Sequence, residues 1–316
     1  MFERLFRNRS RDGSAPRQAR PSRHPEGGQL DEGLLGKLRN VTLVSQRRLT
    51  AGITGEHPSP RRSNALEFAD YRNYAPGDDL RRVDWNAYLR LGQLIVKLAD
   101  APERVALHIL LDTSGSMAWG HPDKFSYARG LAAALAYVAL SHMDSPSLLV
   151  LRDQECTRWS RQSSSSPAAM VRDISSLRPG GSTNPDAALA AFSTLGIQRG
   201  VAVLISDLLS PSGYQSGLER LSRMPLRPVV IQLLSPEELN PPLEGDVELV
   251  DSETGDAVQV SIDRAVLRRY RRRLQEWLEG IEVFCSRRGI TYLRVETTQS
   301  MERLLLERLR REKVLR

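Results

Sequence analysis

The sequence predicts an α/β fold in which a doubly wound, mostly parallel sheet carries helices on both faces. Three observations point there. Residues 105–111, 201–205 and 228–234 are almost wholly apolar, the pattern of strands covered on both sides in a parallel sheet. The stretches between them have helical period, as in 124–142, where Phe125, Ala128, Leu131, Ala132, Leu135, Val138 and Ala139 share one stripe. Polar loops containing Gly, Ser and Asp follow two of these strands, where open α/β sheets bind ligands.

Before that core, residues 1–30 are rich in Arg, Ser, Pro and Gly and nearly free of aromatics. They cannot bury enough apolar surface to offset their ordering entropy, which predicts a disordered basic tail. From 31 to about 46, Leu34, Leu35, Leu38 and Val41 recur at helical spacing. A Gly, Pro, Ser and Arg stretch over 52–64 reads as loop, and a denser segment covers 66–97. We expect 31–104 to form one N-terminal segment packed on or extending the sheet of a domain over 105–316.

Within that domain, 147–151 reads as a strand with a hairpin partner near 156–160, and 163–166 as a polar loop. Helices are expected over 168–177, 184–195 and 214–222. Residues 247–250 and 257–260 form a hairpin insertion near 246–260 that decorates the domain. A helix over 263–287 buries Leu267, Tyr270, Leu274, Trp277, Ile281 and Phe284 and leaves Arg268, Arg269, Arg271, Arg272 and Arg273 mostly elsewhere. Strand 291–295 and helix 301–311 end the chain.

Composition removes several function classes. No apolar run approaches the ~20 residues that span a bilayer, and the start has no secretory signal, so a cytoplasmic location is expected. Cys156 and Cys285 stand far apart with no His cluster beside them, which suggests neither a disulfide framework nor a zinc site. The net charge of +7 comes largely from the tail and from Arg268 to Arg273, with no nucleic-acid-reading motif in company.

Chemistry concentrates after the first core strand, at Asp112-Thr113-Ser114-Gly115-Ser116. In an extended loop, positions i, i+2 and i+4 project to one side, so one carboxylate and two hydroxyls can converge. Thr183, in Gly180-Gly181-Ser182-Thr183-Asn184, and Asp207, after strand 201–205, should reach the same sheet edge. Asp112, Ser114, Ser116, Thr183 and Asp207 then form an all-oxygen set suited to Mg²⁺ or Mn²⁺ more than Ca²⁺, with nothing soft for zinc.

This pattern, Asp112-x-Ser114-x-Ser116 with Thr183 and Asp207, resembles the metal-ion-dependent adhesion site (MIDAS) of von Willebrand factor A (vWA) domains. The resemblance implies hydroxyls that contact the metal, carboxylates that act through water, and an ion open to a partner's carboxylate. The stretch from Leu66 through Tyr71, Pro76-Gly77-Asp78-Asp79 and Asp84-Trp85 resembles the DUF58 family, vWA-like proteins of bacteria and archaea. That likeness implies a MoxR-type AAA+ ATPase as partner and a chaperone or assembly role.

Each signal has a plainer reading. Ser114 and Ser116 could merely satisfy turn backbone groups, and Asp207 could cap a helix. Asp78, Asp79, Arg81, Arg82, Asp84 and Trp85 read first as a turn launching a helix and second as a docking surface. His108, mid-strand with no acid or serine beside it in the sequence, reads as a core histidine. A non-enzymatic, metal-dependent protein-binding module is expected. The alternatives are a metal-dependent hydrolase using the same strand end, which lacks a second Asp where Ser114 stands, and a basic nucleic-acid binder.

Overall fold

A computed structural model of the protein describes residues 6–9, 32–44, 68–76, 78, 80, 83–99, 104–159, 167–252 and 255–316. The expected loops at 52–64 and 163–166 lie outside the described residues. The chain divides into two units, Ala51–Arg104 and the remainder, Met1–Thr50 with Val105–Arg316. Strand β1 (Phe6–Arg9) and helix α1 (Glu32–Leu38) belong to the larger unit; β2 (Phe68–Asn73), α2 (Trp85–Leu91) and β3 (Ile95–Ala99) form the smaller. The larger unit resumes with β4 (Ala106–Asp112), α3 (Lys124–Ser141), β5 (Ser145–Arg152), β6 (Glu155–Arg158), α4 (Pro167–Ser176) and α5 (Pro185–Ser193). It continues through β7 (Gly200–Ser206), α6 (Gln215–Arg223), β8 (Leu226–Leu234), α7 (Pro236–Leu239), β9 (Gly245–Asp251) and β10 (Ala257–Ile262). Helix α8 (Arg264–Arg287), β11 (Thr291–Glu296) and helical turns from Met301 to Arg311 complete it.

The central sheet has the order β11-β8-β7-β4-β5-β6, parallel throughout except for the antiparallel edge strand β6. Alternate side chains of each strand serve two separate cores, because successive residues of a strand point to opposite faces. Leu107, Ile109, Leu111, Val203 and Ile231 pack with α1, α3, α4 and the C-terminal turns. Leu110, Leu149, Leu204 and Val230 pack on the other face with α5, α6 and α8. The sheet is therefore doubly wound and mostly parallel with helices on both faces, as expected. Strand β4 lies between β5 and β7, so the winding reverses at its carboxyl end and opens a crevice there. The close approach of β7 to β4 depends on Gly200, where a Cβ would stand 1.9 Å from the Ala106 carbonyl oxygen.

Several expectations need correction. The helix expected over 31–46 stops at Leu38, because Thr42 N–H and Val44 N–H donate to the carbonyls of Arg316 and Val314 (both 3.1 Å), tying this stretch to the C-terminus. Leu34, Leu38, Val41 and Leu43 are buried in the sheet's core, so the segment expected over 31–104 is not one piece and its first part belongs to the larger unit. Residues Phe6–Arg9, inside the expected tail, form a strand paired antiparallel with β9 and take up the edge that β10 leaves open; the rest of 1–30 lies outside the described residues. Helix α3 is buried around most of its circumference rather than along one stripe, since α1 and α4 cover what the sheet does not. His108 is a core residue, its ring nitrogens 2.8 Å from Ser147 Oγ and 2.9 Å from the Gln198 carbonyl oxygen. Along α8, Arg268, Arg269, Arg271 and Arg272 are exposed and Arg273 is half-buried.

Candidate functional site

Strand β4 ends on Asp112 and runs into a short 3₁₀ turn, Gly115–Ala118, which turns the Ser114 and Ser116 side chains back toward the sheet edge. The loop carrying Thr183 is stitched to that turn by backbone bonds. Gly115 N–H donates to the Gly181 carbonyl and Gly180 N–H to the Thr113 carbonyl, both at 2.8 Å. On its other side, Asp153 N–H donates to the Ser182 carbonyl at 2.7 Å. Ser206 and Asp207 arrive from the end of β7, the neighbour of β4.

Asp112 is the hub. Its Oδ1 accepts from Ser114 N–H at 2.9 Å and from Thr183 Oγ1 at 3.0 Å, and its Oδ2 accepts from Ser206 Oγ at 2.6 Å. Ser114 Oγ and Ser116 Oγ lie 2.9 Å apart. Asp207 is engaged through both oxygens as well: its Oδ1 accepts from Leu209 N–H at 2.9 Å and its Oδ2 from Lys124 Nζ at 2.6 Å. None of the five predicted residues exposes more than 6 % of its surface. Asp112, Ser114, Ser116 and Thr183 thus form one hydrogen-bonded cluster, and Asp207 acts on Asp112 through its charge.

Sequence reasoning missed three participants. Ser206 supports Asp112 directly. Lys124, fully buried at the start of α3, lies 2.6 Å from Asp207 Oδ2 and 2.5 Å from Glu238 Oε1. Glu238 sits in a capping box, with Ser235 N–H donating to its Oε2 at 2.6 Å and its own N–H donating to Ser235 Oγ at 3.3 Å. Two signals were readable: a lysine heading a helix rich in apolar residues, and the Ser-x-x-Glu pattern of Ser235 and Glu238.

Asp112, Asp207 and Glu238 place three carboxyl groups in the same buried region as the one ammonium of Lys124, all almost without solvent. Burial and the neighbouring Asp207 charge push the Asp112 carboxyl above the usual carboxylate range, and burial does the same to Glu238. Burial alone would lower Lys124, but Asp207 and Glu238 together hold it above its ordinary value. A pocket of carboxyl and hydroxyl oxygens with no soft donor fits a hard cation, whose own charge would favour the ionised carboxylates. Among the described residues no three His, Cys, Asp or Glu side chains are grouped to hold a metal, so such an ion would depend on the hydroxyls.

The hairpin of β9 and β10 does more than decorate. The carbonyl oxygen of Ser252, at its turn, lies where a Cβ on Gly115 would meet it at 2.9 Å, so the turn rests directly on the Asp112 loop. The six residues considered for docking separate differently. Asp78 Oδ2 accepts from Ala75 N–H at 2.9 Å, and Asp84 caps α2 by accepting from Asn86 N–H at 3.0 Å and Ala87 N–H at 3.1 Å, both structural roles. Trp85 is 53 % exposed and packs edge-on against Tyr88, while Asp79, Arg81 and Arg82 lie outside the described residues.

The family described as "Protein of unknown function DUF58" matches residues 70–277. An uncharacterized protein of Mycobacterium tuberculosis is 28 % identical over 262 residues, 81 % of this chain and 82 % of that protein, and one of Mycobacterium bovis matches equally. Among solved structures, the conserved hypothetical protein BatB from Bacteroides thetaiotaomicron is 14 % identical with a TM-score of 0.40, over 66 % of this chain and 98 % of that one. A von Willebrand factor type A protein from Catenulispora acidiphila is also 14 % identical, with a TM-score of 0.34, over 70 % of this chain and 43 % of that one. No helix among the described residues is long and apolar enough to cross a membrane.

Proposed function

We propose that this chain, which belongs to the DUF58 family, is a non-enzymatic protein-binding module whose grip on a partner depends on a divalent cation. The observation that carries this reading is the bond from Thr183 Oγ1 to Asp112 Oδ1 at 3.0 Å, which joins loops 71 residues apart at the switch point of the sheet. Ser114, Ser116 and Thr183 would offer hydroxyls to the cation, and Asp112 and Asp207 carboxylates. When bound, Mg²⁺ or Mn²⁺ would supply an electrophilic point for a carboxylate of the partner. Neutral hydroxyl ligands leave more of the ion's charge uncancelled than carboxylates would, which favours an anionic partner group.

The chain's own residues prepare this arrangement. Asp112 gathers the two other loops, Gly115 lets the Gly181 and Ser252 carbonyls approach, and Asp207 is pinned by Lys124. Likeness to the DUF58 family supports a MoxR-type AAA+ ATPase as the partner, in a chaperone or assembly role, and the free, buried Cys156 and Cys285 suit a cytoplasmic location. The test is affinity capture by the purified chain in Mg²⁺ and in EDTA, with Asp112→Ala in parallel. An AAA+ ATPase retained only by wild type in Mg²⁺ supports the proposal. Equal capture of the same proteins in all arms removes it.

A further inference from the structure

Lys124 is an unusual residue to find at 0 % side-chain exposure, because an isolated buried ammonium is costly and must be compensated by partners. It is compensated twice, by Asp207 Oδ2 at 2.6 Å and Glu238 Oε1 at 2.5 Å. Neither acid is free to turn away. Asp207 is held through its other oxygen by Leu209 N–H at 2.9 Å, and its carbonyl accepts from Gln232 Nε2 at 2.8 Å. Glu238 is locked in its capping box with Ser235, and its carbonyl accepts from the Tyr270 hydroxyl at 2.7 Å, which ties α7 to α8. The ammonium is thus a permanent part of the fold, fixed against one acid of the candidate cation site.

We propose that Lys124 is a positioning residue that limits how tightly the site holds its cation, by engaging one Asp207 oxygen and keeping a fixed positive charge beside it. This rests on the cation-binding reading of Asp112, Ser114, Ser116, Thr183 and Asp207. Two physical consequences follow from the contacts. An oxygen that accepts a charge-assisted bond from an ammonium has less electron density to offer a second cation. A fixed positive charge beside Asp207 also repels an arriving divalent ion, more strongly in a buried site than in water. Lys124 therefore keeps the acids from enclosing the ion and leaves its charge available to an anionic ligand from outside.

The inference has a sign that an ordinary scaffold role lacks. A lysine that only stabilised the fold would, on removal, leave cation affinity unchanged or weaken it. A lysine that restrains the site would, on removal, strengthen it. Lys124→Met keeps the length and apolar stem and removes the ammonium. Full-length wild type and variant are titrated with Mn²⁺ alone by calorimetry, and their melting temperatures are recorded with and without the ion.

The variant is expected to melt lower than wild type without ion, because Asp207 and Glu238 lose their partner. It is expected to bind Mn²⁺ about tenfold or more tightly and to gain more melting temperature from the ion. If Lys124→Met does not fold, Lys124→Met with Glu238→Leu removes the second orphaned acid, frees the same Asp207 oxygen, and should still bind Mn²⁺ more tightly than wild type. A folded variant that binds Mn²⁺ no more tightly than wild type overturns the inference while leaving the cation-binding reading in place. Binding by the variant but not by wild type supports the inference and ends that reading for the natural chain. Absence of binding in every protein ends both.

Discussion

Ser206 Oγ donates to Asp112 Oδ2 at 2.6 Å, so the last residue of β7 fixes the carboxylate that ends its neighbour β4. The two residues belong to adjacent parallel strands, and the bond lies in the crevice where the winding of the sheet reverses. Asp112 can gather Ser114 and Thr183 through Oδ1 because Ser206 holds Oδ2.

Ser206→Ala should therefore disturb the site without removing any predicted ligand. It loses the buried hydrogen bond to the carboxylate, about 1.5–3 kcal/mol, and the one Ser206 Oγ accepts from Leu208 N–H at 2.9 Å, about 0.5–1.5 kcal/mol. Denaturant unfolding measures that cost, and the same protein should show weaker Mg²⁺-induced stabilisation than wild type. Stability and Mg²⁺ response both equal to wild type would mean that Ser206 does not support Asp112.

Gly115→Ala tests the contact between the hairpin and the Asp112 loop. The added methyl would stand 2.9 Å from the Ser252 carbonyl oxygen and 3.3 Å from that of Gly181, so backbone on one side or the other must move. Overpacking of this kind is expected to cost about 1–3 kcal/mol. Limited proteolysis should show faster cleavage near Ser252 in the variant, whereas an unchanged pattern and melting temperature would argue that the turn does not rest on Gly115.

Burial pushes the thiols of Cys156 and Cys285 from 9.0 up to about 12, in spite of the opposing charges of Arg158 and Arg288. The folded state therefore holds these two protons more tightly than the unfolded chain does. The stability they contribute is fully present below pH 9.0 and is lost as pH rises toward about 12. Native protein at pH 8 should resist alkylation by iodoacetamide and react at both positions once unfolded, as mass spectrometry can read. A Cys156→Ser, Cys285→Ser variant should lose less melting temperature than wild type over that alkaline window.

Much of this was legible in the sequence because burial on both faces leaves a strong imprint. Residues 105–111, 201–205 and 228–234 read as strands since helices cover them on each side, and the structure places β4, β7 and β8 there. The loops holding Asp112 and Asp207 could be assigned to one sheet edge from strand direction, whereas Thr183 lies in a Gly-rich loop between two helices. What escaped depends on contacts across long separations. Lys124 and Glu238 stand 114 residues apart, and nothing local to either announces the other. The end of α1 at Leu38 is set by the returning C-terminus, where Leu43 pairs with Leu315, as tertiary context overrides helical period. The placement of the hairpin turn on Gly115 likewise has no local signature, since the glycine suits a tight turn and a close approach equally.

If Asp112, Ser114, Ser116, Thr183 and Asp207 act together on one hard cation, calorimetric titration of the full chain with Mn²⁺, beside Asp112→Ala, should show it. One Mn²⁺ should bind per wild-type chain, displaced by excess Mg²⁺, and none at this site in the variant. Equal Mn²⁺ binding by both proteins, or none by wild type, would mean that these five residues hold no cation together.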